Sequence, residues 1–279
     1  MSLTIHPLST GRVRIKQSMH RGIGTGLARR ARIMRPGPMT GPLPIHVWAI
    51  EHPEGLFLVD AGETHAARDQ PFATFEVGRE DELDRQLNAL DFSPADVTTV
   101  VLTHIHGDHV DGLPHVADAR VLAGADEIAA SRSVLGRLTR TVARQPLPQG
   151  FHVEPIVLDG APLGGFPASR ALTADGRIVA VPAPGHTPGH IGVIVIQDDH
   201  HVLLGGDSSY DQAQLLDLQV DGVSPKDDVA RSTMRAILRH AELHPTVYLP
   251  SHDPQSAVRL AAGTTLPAAS GSRATIAGG

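Results

Sequence analysis

The stretch Thr103–Gly112, THIHGDHVDG, places three histidines and an aspartate (His104, His106, Asp108 and His109) within a few residues of one another. It follows VTTVVL, a β-branched apolar run that reads as a buried strand. A turn held by a rigid strand is a good platform for side chains that must converge. Gly107 lets the backbone turn tightly between them. The spacing H-x-H-x-D-H therefore points to a metal site.

The motif supplies four ligands, and the chain offers three more in the same kind of place. His186 follows RIVAV in APGHTPGH, Asp207 follows HVLL in LLGGDSSY, and His252 follows TVYL in YLPSHD. Each is a His or Asp just past an apolar run. A fold that brings strand ends to one edge would gather all of them. Cysteine is absent, so thiolate can be neither ligand nor nucleophile. A His/Asp set selects zinc, iron, manganese or cobalt.

THIHGDH, GHTPGH, GGD and PSHD, in this order, resemble the metallo-β-lactamase superfamily over about Leu43 to Asp253. The resemblance implies an α/β fold, a four-layer αββα sandwich with two metals at one edge. It puts His104, His106 and His186 on one metal and Asp108, His109 and His252 on the other, with Asp207 bridging. A carboxylate has two oxygens and can span two ions, whereas an imidazole offers one lone pair. His190, which completes GHTPGH, is expected to be structural. His115 is expected at the surface, and His200, His201, His240 and His244 are expected to be solvated.

Two close metals lower the pKa of bound water and polarise a carbonyl or phosphoryl oxygen. No GxSxG elbow is present, so a nucleophilic serine has little support. DSSY places Tyr210 three positions beyond Asp207. Asp-x-x-Tyr after such a ligand set is similar to the N-acyl-homoserine lactonases of the superfamily. In that family a bridging hydroxide attacks the lactone carbonyl, the tyrosine assists there, and the motif aspartate is a proposed proton donor. Carried over, Tyr210 and Asp108 take those roles, with two divalent ions, zinc first, as cofactors.

The alternatives are other ester, thioester or phosphoester hydrolysis on the same fold, and a metal-stabilised binding protein that turns nothing over. Glyoxalase-II-like enzymes share the ligand pattern but would carry a basic C-terminal helical region, and the short helix and Gly/Ala-rich stretch expected here count against that reading. The bridging Asp207 and the missing cysteine argue against a true β-lactamase.

Beyond the motifs, 279 residues at 41% hydrophobic and 19% charged suit a protein with a sizeable core. The expected organisation is one domain over 1–261 and a Gly/Ala-rich flexible tail over 262–279. The net charge of −6 argues against nucleic acid, and the arginines of 12–35 read as a solvated or partner-facing segment. The start, MSLTIHPLST, lacks the pattern of a signal peptide, and no apolar run reaches membrane length. A cytoplasmic protein, off the membrane, with a small lactone or ester as substrate and a homodimer as its assembly, is the expectation.

Strands are expected at LPIHVWAIEH and GLFLVDAG, joined by a turn at Pro53–Gly55, and at DVTTVVLTH, RVLAG, FHVEPIVLD, RIVAVPAPG, IGVIVIQDD, HVLLGGD and TVYLPSHD. Helices are expected over 79–92, over 125–144 with a break at Gly136, and over 224–243 with Ser224 as N-cap and Pro225 at N1. Residues 63–78 are irregular. Residues 17–43 have many Gly and Pro and no clean period. They read as a long loop over the metals whose Met19, Ile23, Leu27, Ile33, Met34 and Met39, with Trp48 beyond, wall the substrate site, the alternative being a dimer contact or ordinary core.

Overall fold

Apolar runs of four to eight residues separated by turn signals can bury both faces only if sheets are covered on both sides. The computed structural model, which describes residues 2–143, 150 and 152–267, resolves this demand with two stacked sheets. The strands are β1 Thr4–Ile15, β2 Leu43–His52, β3 Gly55–Val59, β4 Ala73–Glu76, β5 Val97–Leu102, β6 Arg120–Gly124, β7 Val153–Ile156, β8 Arg170–Ala171, β9 Ile178–Pro182, β10 Ile191–Ile196, β11 His201–Gly206 and β12 Thr246–Pro250. The helices are α1 Gln17–His20, α2 Gly26–Ile33, α3 Leu83–Asn88, α4 Gly107–Val110, α5 Ala125–Arg132, α6 Val134–Ala143, α7 Gln212–Leu216, α8 Asp227–Leu243 and α9 Ser256–Ala262.

One sheet has the order β4-β1-β2-β3-β5-β6-β7 and the other β12-β11-β10-β9-β8. β3, β5, β6 and β7 are parallel, as are β11 and β12. β2 pairs antiparallel with β3 across the expected turn.

Period-two alternation along β2 sorts its side chains into two cores. Trp48 and Ile50 point between the sheets, where Phe57, Val59, Val101 and Leu122 meet Ile178, Val193, Val202 and Leu249. Val47 and Ala49 point outward and pack with Leu83 and Leu87 of α3 and Ile128 of α5. On the far side Ile194, Leu203 and Tyr248 pack against Met234 and Ile237 of α8. Each fully buried Leu, Ile or Phe contributes roughly 1.5–3 kcal/mol relative to exposure. The layering is helix, sheet, sheet, helix.

Several expectations change. β1 lies where no strand was expected, because Pro7, Gly11 and a register shift between Ser9 and Arg12 blur its alternation. The irregular 63–78 stretch contains β4, an edge strand on β1. The helix expected from residue 79 begins at Leu83 after a 3₁₀ turn. The helix expected over 125–144 breaks at Ser133, not Gly136, and the Ser133 hydroxyl accepts from the Gly136 N–H at the start of α6. Residues 144–149 lie outside the described residues. α8 starts at Asp227 with Lys226 as N-cap, while the Ser224 N–H is taken by the Asp221 carboxylate. In the expected tail, Leu266 is buried and its N–H donates to Thr246, and 268–279 lie outside the described residues.

The stretch 17–43 holds α1 and α2 rather than loop throughout. Arg12, Arg21, Arg32 and Arg35 are exposed as expected, and Arg29 is the exception. Arg29 is 1% exposed, donates to the Ser224 carbonyl and pairs with Asp227 at 2.7 Å. No helix among the described residues is long and apolar enough to cross a membrane.

Candidate metal centre

Parallel strands end at the same edge of a sheet, and the site is built there. His104 follows β5, Asp207 follows β11, His252 follows β12, and His186 follows β9. α4 begins at Gly107, so one helical turn carries Asp108 and His109 back toward His104 and His106.

His104 Nε2 and His186 Nε2 each lie 3.0 Å from His106 Nδ1. Beside them, Asp108, His109 and His252 form a second convergent group. Asp207 stands between the two. Its Oδ2 is 3.4 Å from His186 Nε2, while its Oδ1 is 3.4 Å from His109 Nε2 and 3.3 Å from His252 Nε2. His252 Nε2 is also 3.4 Å from Asp108 Oδ2. Nitrogens about 2.0–2.1 Å from one tetrahedral ion stand about 3.3 Å apart, so these spacings suit a metal of zinc's size.

The opposite ring nitrogens are tethered. His109 Nδ1 donates to Asp60 at 2.8 Å, His186 Nδ1 to Asp221 at 2.8 Å, and His252 Nδ1 to the Pro44 carbonyl at 2.8 Å. His104 Nδ1 lies 3.1 Å from the Thr103 hydroxyl, which donates to Asp60. Each tether fixes a tautomer and turns the Nε2 lone pair toward the site. His109 Nε2 and Asp207 Oδ1 are buried with no hydrogen-bond partner. Such orphans are costly unless a cation fills the space between them. The donor set therefore fits two divalent ions.

The electrostatics divide the imidazoles. Burial, then the charges of neighbouring imidazoles, keeps His104 and His106 neutral, His106 down to about 3. Burial opposes the charge on Asp207, but His252, His109 and His186 outweigh it and hold the carboxyl well below its ordinary range. Burial likewise opposes charge on His109, yet Asp60, Asp207 and Asp108 raise its pKa.

His190 is not among the convergent groups. It sits behind them, and its Nε2 accepts the Asp207 N–H at 3.0 Å. Tyr210 lies at the site, its ring 5.9 Å from that of His186 and 5.5 Å from that of His252. Burial, then the Asp207 charge, pushes its pKa well above the ordinary value, so the phenol keeps its proton. His115 is half-buried beside Asp84 and Glu82, outside the cavity wall. Of the four histidines expected to be solvated, His200, His201 and His244 are partly exposed, whereas His240 is fully buried against His201 and His244.

A cavity of about 660 Å³ opens over His106, Asp108, His186, Asp207, Tyr210 and His252. Much of its wall is apolar, with Val13, Ile15, Phe72 and Phe75 from the β1–β4 side. Of the apolar residues picked out of 17–43, Met19, Leu27, Ile33 and Met34 line it, whereas Ile23 and Met39 do not. Trp48 is buried between the sheets instead.

Sequence reasoning missed Asp60 and Asp221. Asp60 carries the signal used for Asp207, an aspartate after an apolar run, but GLFLVDAG was read as strand throughout. It sits at φ 65°, a left-handed conformation that few non-glycine residues adopt. Asp221 lies in no motif and carried no signal.

A family model described as the metallo-beta-lactamase superfamily matches residues 40–252. A probable metallo-hydrolase of Mycobacterium tuberculosis is 31% identical over 188 residues, 61% of this chain and 58% of the relative's length. An N-acyl homoserine lactonase of Agrobacterium fabrum is 23% identical over 230 residues, 77% of this chain and 83% of the relative. A solved structure of an N-acyl homoserine lactone hydrolase, with the product N-hexanoyl-L-homoserine at its catalytic metal centre, superposes with TM-score 0.70. It covers 91% of this chain and 95% of that one at 18% identity, a likeness of fold.

Proposed function

The chain belongs to the metallo-β-lactamase superfamily, and from that premise we propose that it is a metal-dependent hydrolase that opens the ring of N-acyl homoserine lactones. The observation that carries the reading is the division of Asp207, whose two oxygens face two separate groups of ligand atoms beneath one largely apolar cavity. The name of the Agrobacterium relative supports the choice of lactone.

His104, His106 and His186 would hold one divalent ion, Asp108, His109 and His252 the other, and Asp207 both. Zinc is the first choice, with iron, manganese and cobalt suited to the same donors. The pair would supply an activated water and polarise the substrate carbonyl.

The remaining work falls to side chains. The Tyr210 phenol, protonated throughout the working pH range, donates to the carbonyl oxygen as negative charge develops on it. Asp108, open to the cavity, takes the proton given up by the attacking water and passes it to the alkoxide that leaves when the ring C–O bond breaks. The apolar wall takes the acyl chain, and the unbranched thioethers of Met19 and Met34 adapt to chains of differing length.

The test is hydrolysis of a panel of N-acyl homoserine lactones by protein of known metal content, followed by pH-stat. One equivalent of acid per lactone across several chain lengths is expected. No release from protein that binds two ions would move the substrate to other lactones, thioesters or phosphoesters.

A further inference from the structure

The two groups of ligand atoms share one support, Asp60, which accepts from Thr103 beside His104 as well as from His109, but each group also has supports of its own. His109 and His252 are tethered by Asp60 and Pro44. The trio His104, His106 and His186 comes from two loops remote in sequence, Thr103–His106 after β5 and Ala183–His190 after β9. Three ring nitrogens can converge on one ion only while those loops keep their separation.

A single carboxylate spans them. Glu127, on the first turn of α5, is 3% exposed. Its Oε1 accepts the N–H of Ile105, between His104 and His106, at 3.0 Å. Its Oε2 accepts the Thr187 hydroxyl at 2.7 Å and the Gly189 N–H at 3.2 Å, one and three residues beyond His186. The close approach depends on glycine. A Cβ on Gly189 would lie 1.9 Å from the Glu127 backbone nitrogen, and one on Gly124 would lie 2.7 Å from the Gly189 carbonyl oxygen. Sequence and packing thus bring α5 against the second loop so that one side chain can reach both.

We infer that Glu127 is a positioning residue that sets the metal affinity of the His104–His106–His186 site and leaves the Asp108–His109–His252 site alone. The inference rests on the two-site reading above and adds a control point to one half of it. The chemistry requires a carboxylate. All three partners donate, and a carboxylate accepts from every side. A glutamine of the same shape has one accepting oxygen. Whichever way its amide turns, its NH₂ opposes a backbone N–H, of Ile105 or of Gly189. An aspartate is one methylene shorter and cannot span both loops.

The experiment measures cobalt(II) binding by visible absorption and counted equivalents, in backgrounds that each keep one site. In His252→Ala the intact trio is His104, His106 and His186. In His186→Ala it is Asp108, His109 and His252. Glu127→Gln is expected to weaken cobalt binding about 10- to 100-fold in the first background, the usual effect of losing a group that orients a ligand. In the second it is expected to change binding less than about twofold, with Glu127→Asp following the same pattern. The retained affinity in the second background also reports that the variant is folded. Equal losses in both backgrounds, or no loss in the first, would overturn the inference. A wild-type chain that takes up one equivalent would overturn the two-site reading, and this inference with it.

Discussion

β11 and β12 run parallel, and a cluster of histidines sits at each end of the pair. Asp207 and His252 follow their C-terminal ends, with His104, His106, His109 and His186 around them. His201 and His244 stand at their N-terminal ends and meet His240 on the last turn of α8. Both clusters bring rings within about 5 Å of one another. At the first, the outer nitrogens of His109, His186 and His252 are tethered to carboxylates or a carbonyl, that of His104 meets the Thr103 hydroxyl, and inner nitrogens converge around Asp207. At the second, His201 Nδ1 and His240 Nε2 satisfy each other at 2.9 Å, His244 stacks on His201, and the three form no convergent ligand set. Proximity of histidines is therefore not enough. What separates the candidate metal centre from a packed histidine cluster is a partner behind four of its rings, those of His104, His109, His186 and His252, and a carboxylate in the middle.

The largest test of that contrast removes the middle. Asp207→Ala is expected to lower bound metal below one equivalent by atomic absorption and to cut turnover at least about 1000-fold. A variant that keeps both ions would dissolve the distinction. Tyr210→Phe should next lower turnover about 10- to 1000-fold with metal content and melting temperature unchanged, because it removes one oxyanion donor. Unchanged turnover would take Tyr210 out of the mechanism.

Removing a tether should have a smaller effect. Asp221→Asn is expected to weaken metal binding about 10- to 100-fold in competition with a chelator. His240→Leu, at the other cluster, should leave the metal titration as it is. His190→Ala removes the acceptor for the Asp207 N–H. It should cost about 1–3 kcal/mol in urea unfolding while both ions remain. Loss of an equivalent would mean that His190 belongs among the ligands.

The smallest effect distinguishes the clusters by pH. Burial, then the charge of His244 and His200, lowers the pKa of His201 to about 4, and burial, then His201 and His244, lowers that of His240 to about 4. The folded protein thus binds fewer protons there than the unfolded chain between about pH 6.5 and 4. This stability is fully present above the unfolded value and is lost as pH falls through that window. Urea midpoints measured from pH 7 to 4 should fall less steeply in His240→Leu than in wild type. Equal slopes would show that the cluster carries no acid sensitivity.

Much of the site was legible because a strand end is a local feature. An apolar β-branched run followed by His or Asp marks a residue delivered to an edge, and that rule found His104, His186, Asp207 and His252. It could also have found Asp60. Asp221 and Glu127 were beyond it: their roles lie in acceptors that reach loops distant in sequence, and no pattern in the chain marks them. α1 and α2 were illegible for a related reason. The Gly and Pro that flank these short helices hide the period, and Arg29, which reads as a solvated cation, is buried by partners near residue 225.

The sequence by itself determined the two-sheet architecture and which histidines and aspartates meet at one edge, because alternation and strand-end placement are encoded within a few residues. Only the tertiary structure decided which nitrogen of each imidazole faces the site, which carboxylates stand behind the rings, and how 17–43 walls the cavity. Those depend on contacts between segments 35, 49 and 208 residues apart, where side-chain geometry rather than local spacing sets the energy.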